Sequence, residues 1–119
     1  MAIDEALAQL LRGDLAGAAV TEKPMFGGLC FLINGNMVSG TMKSSALFRV
    51  GKPNDAAALA VPGTYPMQQR GKVMAGFVEL PRDLCADAAR RAPLSAMALA
   101  FSRSLPPKEP PVAFAGNLR

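Results

Sequence analysis

The feature that most constrains the fold is a predicted hairpin around Asn34 and Gly35. An unbroken apolar run, Leu29–Ile33, precedes this dipeptide, and Asn36–Val38 follows it. Asn-Gly supplies the two residues of positive φ that a type I′ turn requires, so the flanking segments are predicted to pair as antiparallel strands. Counting outward from the turn predicts four cross-strand pairs: Ile33 with Asn36, Leu32 with Met37, Phe31 with Val38, and Cys30 with Ser39.

The surroundings of this hairpin indicate how it sits in a sheet. Apolar residues fall on both faces of its first strand, which is typical of a central strand or one covered on both sides. Gly27 and Gly28 precede that strand, and two glycines would weaken a regular strand. A β-bulge or a close approach of two backbone segments is therefore predicted there.

The remaining segments alternate between helical and extended patterns. Apolar spacing predicts an amphipathic helix over Met1–Gly13 with Gly13 as its C-cap. The further predicted elements are a third strand at Ala46–Val50, a helix at Pro53–Ala60, strands at Tyr65–Arg70 and Val73–Leu80 that turn at Gly71-Lys72, and helices at Pro81–Arg91 and Pro93–Ser104.

This order of elements predicts an α+β fold. We expect a helix, three strands, a helix, two strands and further helices, forming a five-stranded, mostly antiparallel sheet with the helices on one face. Residues 1–105 are predicted to form one domain. The proline-rich residues 106–119 are predicted to be an extended, mobile tail, because Pro106 and the prolines after it cannot continue a helix.

Composition excludes most familiar enzyme chemistry. The chain has no histidine, which rules out a His general base, a Ser-His-Asp or Cys-His site, and an HExxH zinc site. Its two cysteines, Cys30 and Cys85, lack CxxC spacing and are predicted to pack as small apolar residues. No catalytic residue, cofactor or metal is expected. The sequence has neither a membrane-helix nor a signal-peptide pattern, so we expect a cytoplasmic protein.

Two segments are candidates for an interaction surface. The first is the block Met25, Phe26, Gly27 and Gly28, whose backbone N–H groups could meet a phosphate or a partner's backbone if a bulge frees them. A purely structural role for the two glycines is the competing interpretation. The second is residues 43–72, which have a net charge of +4. If the strand ends come together there, they form a basic patch of Arg49, Lys52, Arg70 and Lys72.

Two further hypotheses stay open at this level. A sheet covered on one side only would expose apolar side chains such as Leu32, Met37 or Val78, which would favour a homodimer. An enzymatic or small-molecule site between the sheet and the helices would depend on Cys30, Glu79 or Tyr65. The six phenylalanines are expected mostly in the core, and no spacing in the sequence brings those three candidate residues together.

Several blocks together resemble one known family. They are Met25-Phe26-Gly27-Gly28 with the hairpin after it, Phe48-Arg49-Val50-Gly51, Pro62-Gly63 with Tyr65-Pro66-Met67, Gly71-Lys72, Met74-Ala75-Gly76-Phe77, and the closing Ala100–Pro107. In this order and spacing they resemble the TfoX/Sxy N-terminal domain family. The resemblance implies a fold similar to that of bacterial secretion chaperones.

The same resemblance implies kinship with regulators of DNA-uptake competence, which act with a cyclic-AMP receptor protein at promoters. The larger regulators carry a second, helical domain, for which this sequence has no counterpart. We therefore expect a non-enzymatic module that binds a protein partner and has a transcription-related role. Direct nucleic-acid binding through residues 43–72 is the alternative hypothesis. A homodimer is a candidate assembly, and no membrane association is expected.

Overall fold

The computed structural model describes residues 3–25 and 27–108, which form a six-stranded antiparallel sheet and three α-helices. The strands are β1 (Thr21–Met25), β2 (Gly28–Ile33), β3 (Asn36–Thr41), β4 (Ser45–Arg49), β5 (Tyr65–Gln69) and β6 (Lys72–Pro81). The helices are α1 (Glu5–Asp14), α2 (Asp55–Leu59) and α3 (Ala88–Ser104), with 3₁₀ turns at Lys52–Asn54 and Arg82–Leu84. The α+β class is confirmed, but the predicted five strands are wrong. No helix in the described ranges combines the length and apolarity needed to cross a membrane.

The strand that the sequence analysis missed is β1, at one edge of the sheet. The sheet order is β1-β2-β3-β4-β6-β5, and every neighbouring pair is antiparallel. Four of the five β1 residues are exposed, so the segment lacks the apolar alternation that predicts a strand. Lys23 and Pro24 suit an edge, where a charge and a missing N–H discourage further pairing.

The predicted hairpin forms, but a β-bulge changes its register. The pairs Ile33–Asn36 and Leu32–Met37 are confirmed. Phe31 pairs with Ser39 and Cys30 with Gly40, so the two outer predicted pairs, Phe31 with Val38 and Cys30 with Ser39, are wrong. In a bulge, two residues of one strand face one residue of its partner. The shift leaves both Val38 and Ser39 fully buried.

Helix α1 begins and ends differently from the prediction. The Asp4 carboxylate accepts a hydrogen bond from the Leu7 N–H at 3.1 Å and caps the first turn. Gly13 lies inside the helix, and Leu15 is the C-cap residue. Leu7, Leu11 and Leu15 recur every four residues and are all buried, so continuing past Gly13 brings one more leucine onto the core.

The C-terminal helices also differ from the prediction. A 3₁₀ turn follows Pro81 instead of an α-helix, and α3 then runs without a break through Pro93. Proline inside a helix leaves the carbonyl four residues earlier without its usual donor. Here that residue is Ala89, in the exposed first turn of α3, where water can hydrogen-bond to the carbonyl.

The helices pack on one face of the sheet. Phe31, Phe48 and Val78 lie in one cross-strand row on that face and are fully buried. The helices and their caps contribute leucines and alanines to the same core, namely Leu7, Ala8, Leu11, Leu15, Ala58, Leu94 and Ala98. Val78 is therefore not one of the exposed apolar residues of the sheet, in contrast to the expectation from the sequence.

A buried ion pair joins the end of α1 to the start of α3. Arg91 donates two hydrogen bonds to the Asp14 carboxylate, at 2.7 Å from Nε and 3.0 Å from Nη2. Ser95 donates to the same carboxylate at 2.8 Å, and Arg91 Nη1 donates to the Cys85 carbonyl at 2.8 Å. The hydrogen bonds that Arg91 donates to Asp14 raise the pKa of Arg91 above its ordinary value. Both charged groups thus have hydrogen-bond partners within the fold.

Residues beyond α3 stay attached to the first hairpin as far as the structure describes them. The Pro106 carbonyl accepts a hydrogen bond from the Asn36 side chain at 2.9 Å, and the Lys108 N–H donates to the Asn34 carbonyl at 2.7 Å. Residues 109–119, most of the predicted tail, lie outside the described residues. The predicted domain boundary after residue 105 stays a prediction.

Removing one partner of the buried ion pair should destabilise the fold strongly. Asp14→Ala leaves the Arg91 guanidinium, whose side chain is 10% exposed, without its counter-charge, and such a loss costs about 3–5 kcal/mol. Glu5→Ala removes a carboxylate that is 65% exposed and pairs with Arg12, and it should cost less than about 1 kcal/mol. Urea unfolding at neutral pH measures both changes, and equal losses would contradict this account of the ion pair.

Candidate functional site

The two segments predicted to form an interaction surface lie at opposite ends of the strands. Met25–Gly28 connects β1 to β2, at the end of the sheet where β3 finishes and β4 starts. Arg49 is the last residue of β4 and therefore lies at the other end, where the β5–β6 hairpin turns. The structure does not bring the two segments together. Phe26 lies outside the described residues.

The Gly27-Gly28 turn makes the predicted close backbone approach. A Cβ atom on Gly28 would lie 1.9 Å from the Thr41 carbonyl oxygen, so no other residue fits without moving a strand. The Thr41 hydroxyl accepts a hydrogen bond from the next N–H, that of Leu29, at 2.9 Å. These contacts support the structural interpretation of the glycines. An interaction role for Met25, Gly27 and Gly28 stays a prediction.

Arg49, Lys52, Arg70 and Lys72 all lie at the same end of the strands, which we call the basic end. Arg70 and Gly71 form the β5–β6 turn, both with positive φ, so the predicted turn at Gly71-Lys72 is displaced by one residue. Lys72 is four residues, or about 13 Å, along β6 from Gly76, whose backbone packs against Lys52. The four cations form a row instead of one cluster. Lys43 lies at the opposite end, between β3 and β4.

Among the described arginines, ion pairing distinguishes those near the helices from those of the basic end. Arg12, Arg82, Arg90 and Arg91 each lie in an ion pair with a carboxylate. Within residues 3–25 and 27–108, none of the four cations of the basic end has an ion-pair partner or a side-chain hydrogen bond. Their charges are therefore available to another molecule.

Two cations that the sequence analysis did not consider extend the basic end. The Ser102 hydroxyl donates to the Met37 carbonyl at 3.0 Å, which fixes the last turn of α3 against the start of β3. The next residue, Arg103, is exposed there. Lys108 is held near the same end by its backbone hydrogen bond to Asn34.

A cleft of about 300 Å³ lies at the basic end, and we call it the Arg49 cleft. It is lined by Arg49, Gly51, Lys52, Pro53, Ala75, Gly76, Phe77 and Phe101. Most of these residues contribute apolar side chains or bare backbone, so two cations border a largely apolar space.

Two phenylalanine rings hold the Arg49 guanidinium. Its central carbon lies 5.6 Å from the centroid of the Phe77 ring and 5.4 Å from that of Phe101. Cation–π contacts at these distances are attractive. A cation–π contact uses none of the five N–H donors of a guanidinium. The half-buried Arg49 lines the cleft, and no described residue accepts a hydrogen bond from it.

Two glycines form the floor of the cleft because side chains would not fit. A Cβ atom on Gly51 would lie 2.3 Å from the Phe101 ring, and one on Gly76 would lie 2.8 Å from the Lys52 backbone nitrogen. Both glycines have positive φ, which other residues rarely adopt. The Gly76 carbonyl accepts hydrogen bonds from the N–H groups of Val50 and Gly51, which closes the floor.

Two of the lining residues are phenylalanines, which were predicted from the sequence to lie mostly in the core. Phe77 and Phe101 are both only partly buried. Phe77 could have been recognised as the cross-strand neighbour of Arg49, had the pairing of β4 with β6 been known. Phe101 had no such local indication, because it reaches the cleft only through the packing of α3.

The residues suggested for a site between sheet and helices lie on the other face of the sheet. Cys30, Leu47, Glu79 and Tyr65 belong to one cross-strand row on the face opposite the core. Cys30 is three strands, or about 14 Å, from Glu79. The predicted location is therefore wrong, and Cys30 does not join the other two candidates.

Tyr65 and Glu79 do come together, contrary to the expectation from spacing alone. They are cross-strand partners, and the Tyr65 hydroxyl donates to the Glu79 carboxylate at 3.3 Å. The Ser45 hydroxyl donates to the same carboxylate oxygen at 2.6 Å. Burial first, and then the Glu79 charge, raise the pKa of Tyr65 above its ordinary value.

Both cysteines pack as buried thiols, as predicted. Cys30 is 3% exposed and Cys85 is fully buried, and each is a free thiol. Burial raises the pKa of both thiols, which makes the reactive thiolate less accessible. Across the described ranges, no three His, Cys, Asp or Glu side chains are grouped so as to hold a metal ion.

The contact between Tyr65 and Glu79 leads to a prediction for the pKa of Tyr65 that absorbance spectroscopy can test. Glu79→Gln removes a neighbouring negative charge, so the pKa of Tyr65 should fall toward its ordinary value and remain somewhat raised by burial. The chain has one tyrosine and no tryptophan, so tyrosinate absorbance during an alkaline titration reports this group alone. Asp83→Asn, which removes a charge from an exposed residue, is the control. An unchanged pKa in Glu79→Gln would show that the pair does not form.

Comparison with known proteins identifies the family. The family model described as the TfoX N-terminal domain matches residues 11–102. A search of curated proteins and a search of solved structures found no match. The matched range includes the hairpin, both ends of the sheet, the Arg49 cleft and nearly all of α3. The chain therefore belongs to the TfoX N-terminal domain family.

Proposed function

We propose that this chain is a non-enzymatic regulatory module that binds an acidic surface of a protein partner through the basic end. The observation that carries the proposal is the row of Arg49, Lys52, Arg70 and Lys72, which have no ion-pair partner in the described ranges. Within residues 3–25 and 27–108, the arginines outside this row are in ion pairs, apart from Arg103, which extends the basic end. Unpaired cations gathered at one end of a sheet steer an acidic partner toward that end.

The chemistry next to these cations favours a protein over a nucleic acid. Arginine and aromatic side chains beside an apolar cleft are the groups enriched at the centres of protein interfaces. The Arg49 guanidinium is partly buried against Phe77 and Phe101, so a flat phosphate backbone would reach it less easily than a protruding side chain. The exposed Arg70 and Lys72 would then contribute at the rim.

Family membership gives the proposal its biological setting. The resemblance to TfoX/Sxy implies a role in competence or transcription together with a cyclic-AMP receptor protein, and we infer a regulatory role of that kind. It also implies a fold similar to that of bacterial secretion chaperones, which are proteins that bind other proteins. A second copy of this chain is an alternative partner, since Leu32 and Met37 are only partly buried on the helix-free face.

A second candidate function is direct binding of duplex DNA by the β5–β6 ribbon. Residues 68–73 are all exposed, and the ribbon extends beyond β4, whose last paired residue, Arg49, faces Phe77. The major groove of DNA admits a two-stranded ribbon, and Gln, Arg and Lys are side chains that contact bases and phosphates there. Gln68, Gln69, Arg70 and Lys72 lie on this ribbon.

Charge reversal at the ribbon tests the protein-binding proposal. A partner captured by cross-linking from cell lysate is purified and its affinity is remeasured with the isolated chain. The double variant Arg70→Glu/Lys72→Glu should weaken binding about tenfold or more, mainly by slowing association. The variant Lys23→Glu/Lys43→Glu makes the same charge change away from the basic end and should change affinity less than about threefold. Equal effects, or the absence of any stoichiometric partner, would contradict the proposal.

The salt dependence of binding tests the nucleic-acid candidate. Affinity for a duplex should fall steeply as salt rises, because phosphate contacts release counterions. Arg70→Gln/Lys72→Gln should reduce the slope of log K against log salt by about 2 if both side chains contact phosphates. Fluorescence anisotropy with a labelled duplex measures the slope. Undetectable binding at low salt would exclude this function.

A further inference from the structure

We propose that the Arg49 cleft is a binding site for a small organic acid, a monocarboxylate carried on a flat apolar body. No described residue forms an ion pair or a side-chain hydrogen bond with the Arg49 guanidinium, and two aromatic rings lie against it. The edge of a guanidinium matches the two oxygens of a carboxylate, which can accept two parallel hydrogen bonds. The positive charge and the N–H donors of Arg49 therefore suit one carboxylate.

The walls of the cleft define the rest of the ligand. Pro53, Phe77 and Phe101 offer apolar surface, which favours a ring or a short hydrocarbon body over a bare inorganic anion. Lys52 is exposed at the border and adds a second positive charge near the carboxylate. Asp55, the acid that follows Lys52–Asn54, accepts a hydrogen bond from the Gly76 N–H at 3.0 Å. It therefore already has a partner within the fold.

Size favours a free acid over a peptide segment. A volume of about 300 Å³ is at the small end for ligand sites in proteins. It holds one ring and its carboxylate but leaves little room for an extended backbone. The backbone that lines the cleft is also fixed before binding, because the Gly76 carbonyl accepts hydrogen bonds from the N–H groups of Val50 and Gly51. The site overlaps the centre of the interface that the proposed function assigns to a protein partner, so the two proposals are tested with different probes and different variants.

Protein-observed NMR with matched small probes tests the site. We expect 3-phenylpropionate to shift the amide resonances of Gly51 and Gly76 in a saturable way, with a dissociation constant of about 1 mM or below. The neutral amide 3-phenylpropionamide and inorganic phosphate should bind at least about tenfold more weakly. Equal shifts with the neutral amide, or shifts that do not saturate, would overturn the proposal.

Variants of Arg49 test whether the acid binds in the cleft, and a control for folding excludes misfolding as the cause of weaker binding. Arg49→Gln should weaken 3-phenylpropionate about tenfold or more, and so should Arg49→Lys, which keeps the charge but lacks the planar fork. Arg70→Gln removes a charge from the same end but outside the cleft and should leave affinity within about twofold. Unchanged amide resonances of α1 confirm the fold of each variant. If Arg70→Gln weakens binding as much as Arg49→Gln does, or if Arg49→Lys binds as tightly as the unchanged chain, the effect is general charge attraction and the proposed site is wrong.

The outcome is distinguishable from failure of the proposed function. Macromolecular binding is tested with Arg70 and Lys72, and binding of the acid is tested with Arg49 and with the cleft amides. Two further probes are a peptide that ends in phenylalanine with a free C-terminal carboxylate and the same peptide with an amidated C-terminus. Binding of the free peptide acid together with no binding of 3-phenylpropionate would overturn the small-acid proposal and leave the protein-binding proposal standing.

Discussion

The buried contact between Asp14 and Arg91 is the interaction on which the helical layer depends. A guanidinium and a carboxylate taken out of water are costly unless their hydrogen-bonding capacity is used. Here the carboxylate receives two hydrogen bonds from Arg91 and one from Ser95, and Arg91 also donates to the Cys85 carbonyl. One satisfied pair therefore fixes the end of α1, the start of α3 and the turn before it. Its geometric demands admit few other arrangements of these three segments.

The position of the Arg49 cleft follows from that contact. Arg91 lies in the first turn of α3, and Phe101 lies in its last turn, ten residues or about 15 Å along the axis. Once Arg91 is held against Asp14, the remaining freedom of α3 is small, and Ser102 fixes its far end on the Met37 carbonyl. Phe101 is thereby brought to Arg49. A contact at one end of the helix thus helps to orient a guanidinium at the other.

Sequence patterns predicted the parts of this fold that local chemistry decides. The Asn34-Gly35 turn, the class of fold and the close approach at Gly28 follow from properties of those residues themselves. The bulge at Val38 does not, because it depends on what both strands bury. Strand β1 has no apolar alternation and forms only because β2 presents an unpaired edge. The cleft was the least predictable feature, since Arg49, Phe77 and Phe101 come from three elements and are neighbours only after folding.

The distribution of charge separates two uses of arginine in one small domain. Four arginines bind carboxylates of the chain and so contribute to the fold: Arg12, Arg82, Arg90 and Arg91. The pair formed by Arg91 is the buried one. Arg49 is held by aromatic faces, and such contacts position a guanidinium without neutralising it. A carboxylate beside Arg49 would neutralise its charge, whereas the two rings leave that charge in place. An unneutralised cation beside an apolar space is the arrangement expected of a binding group, because its charge stays available for a ligand.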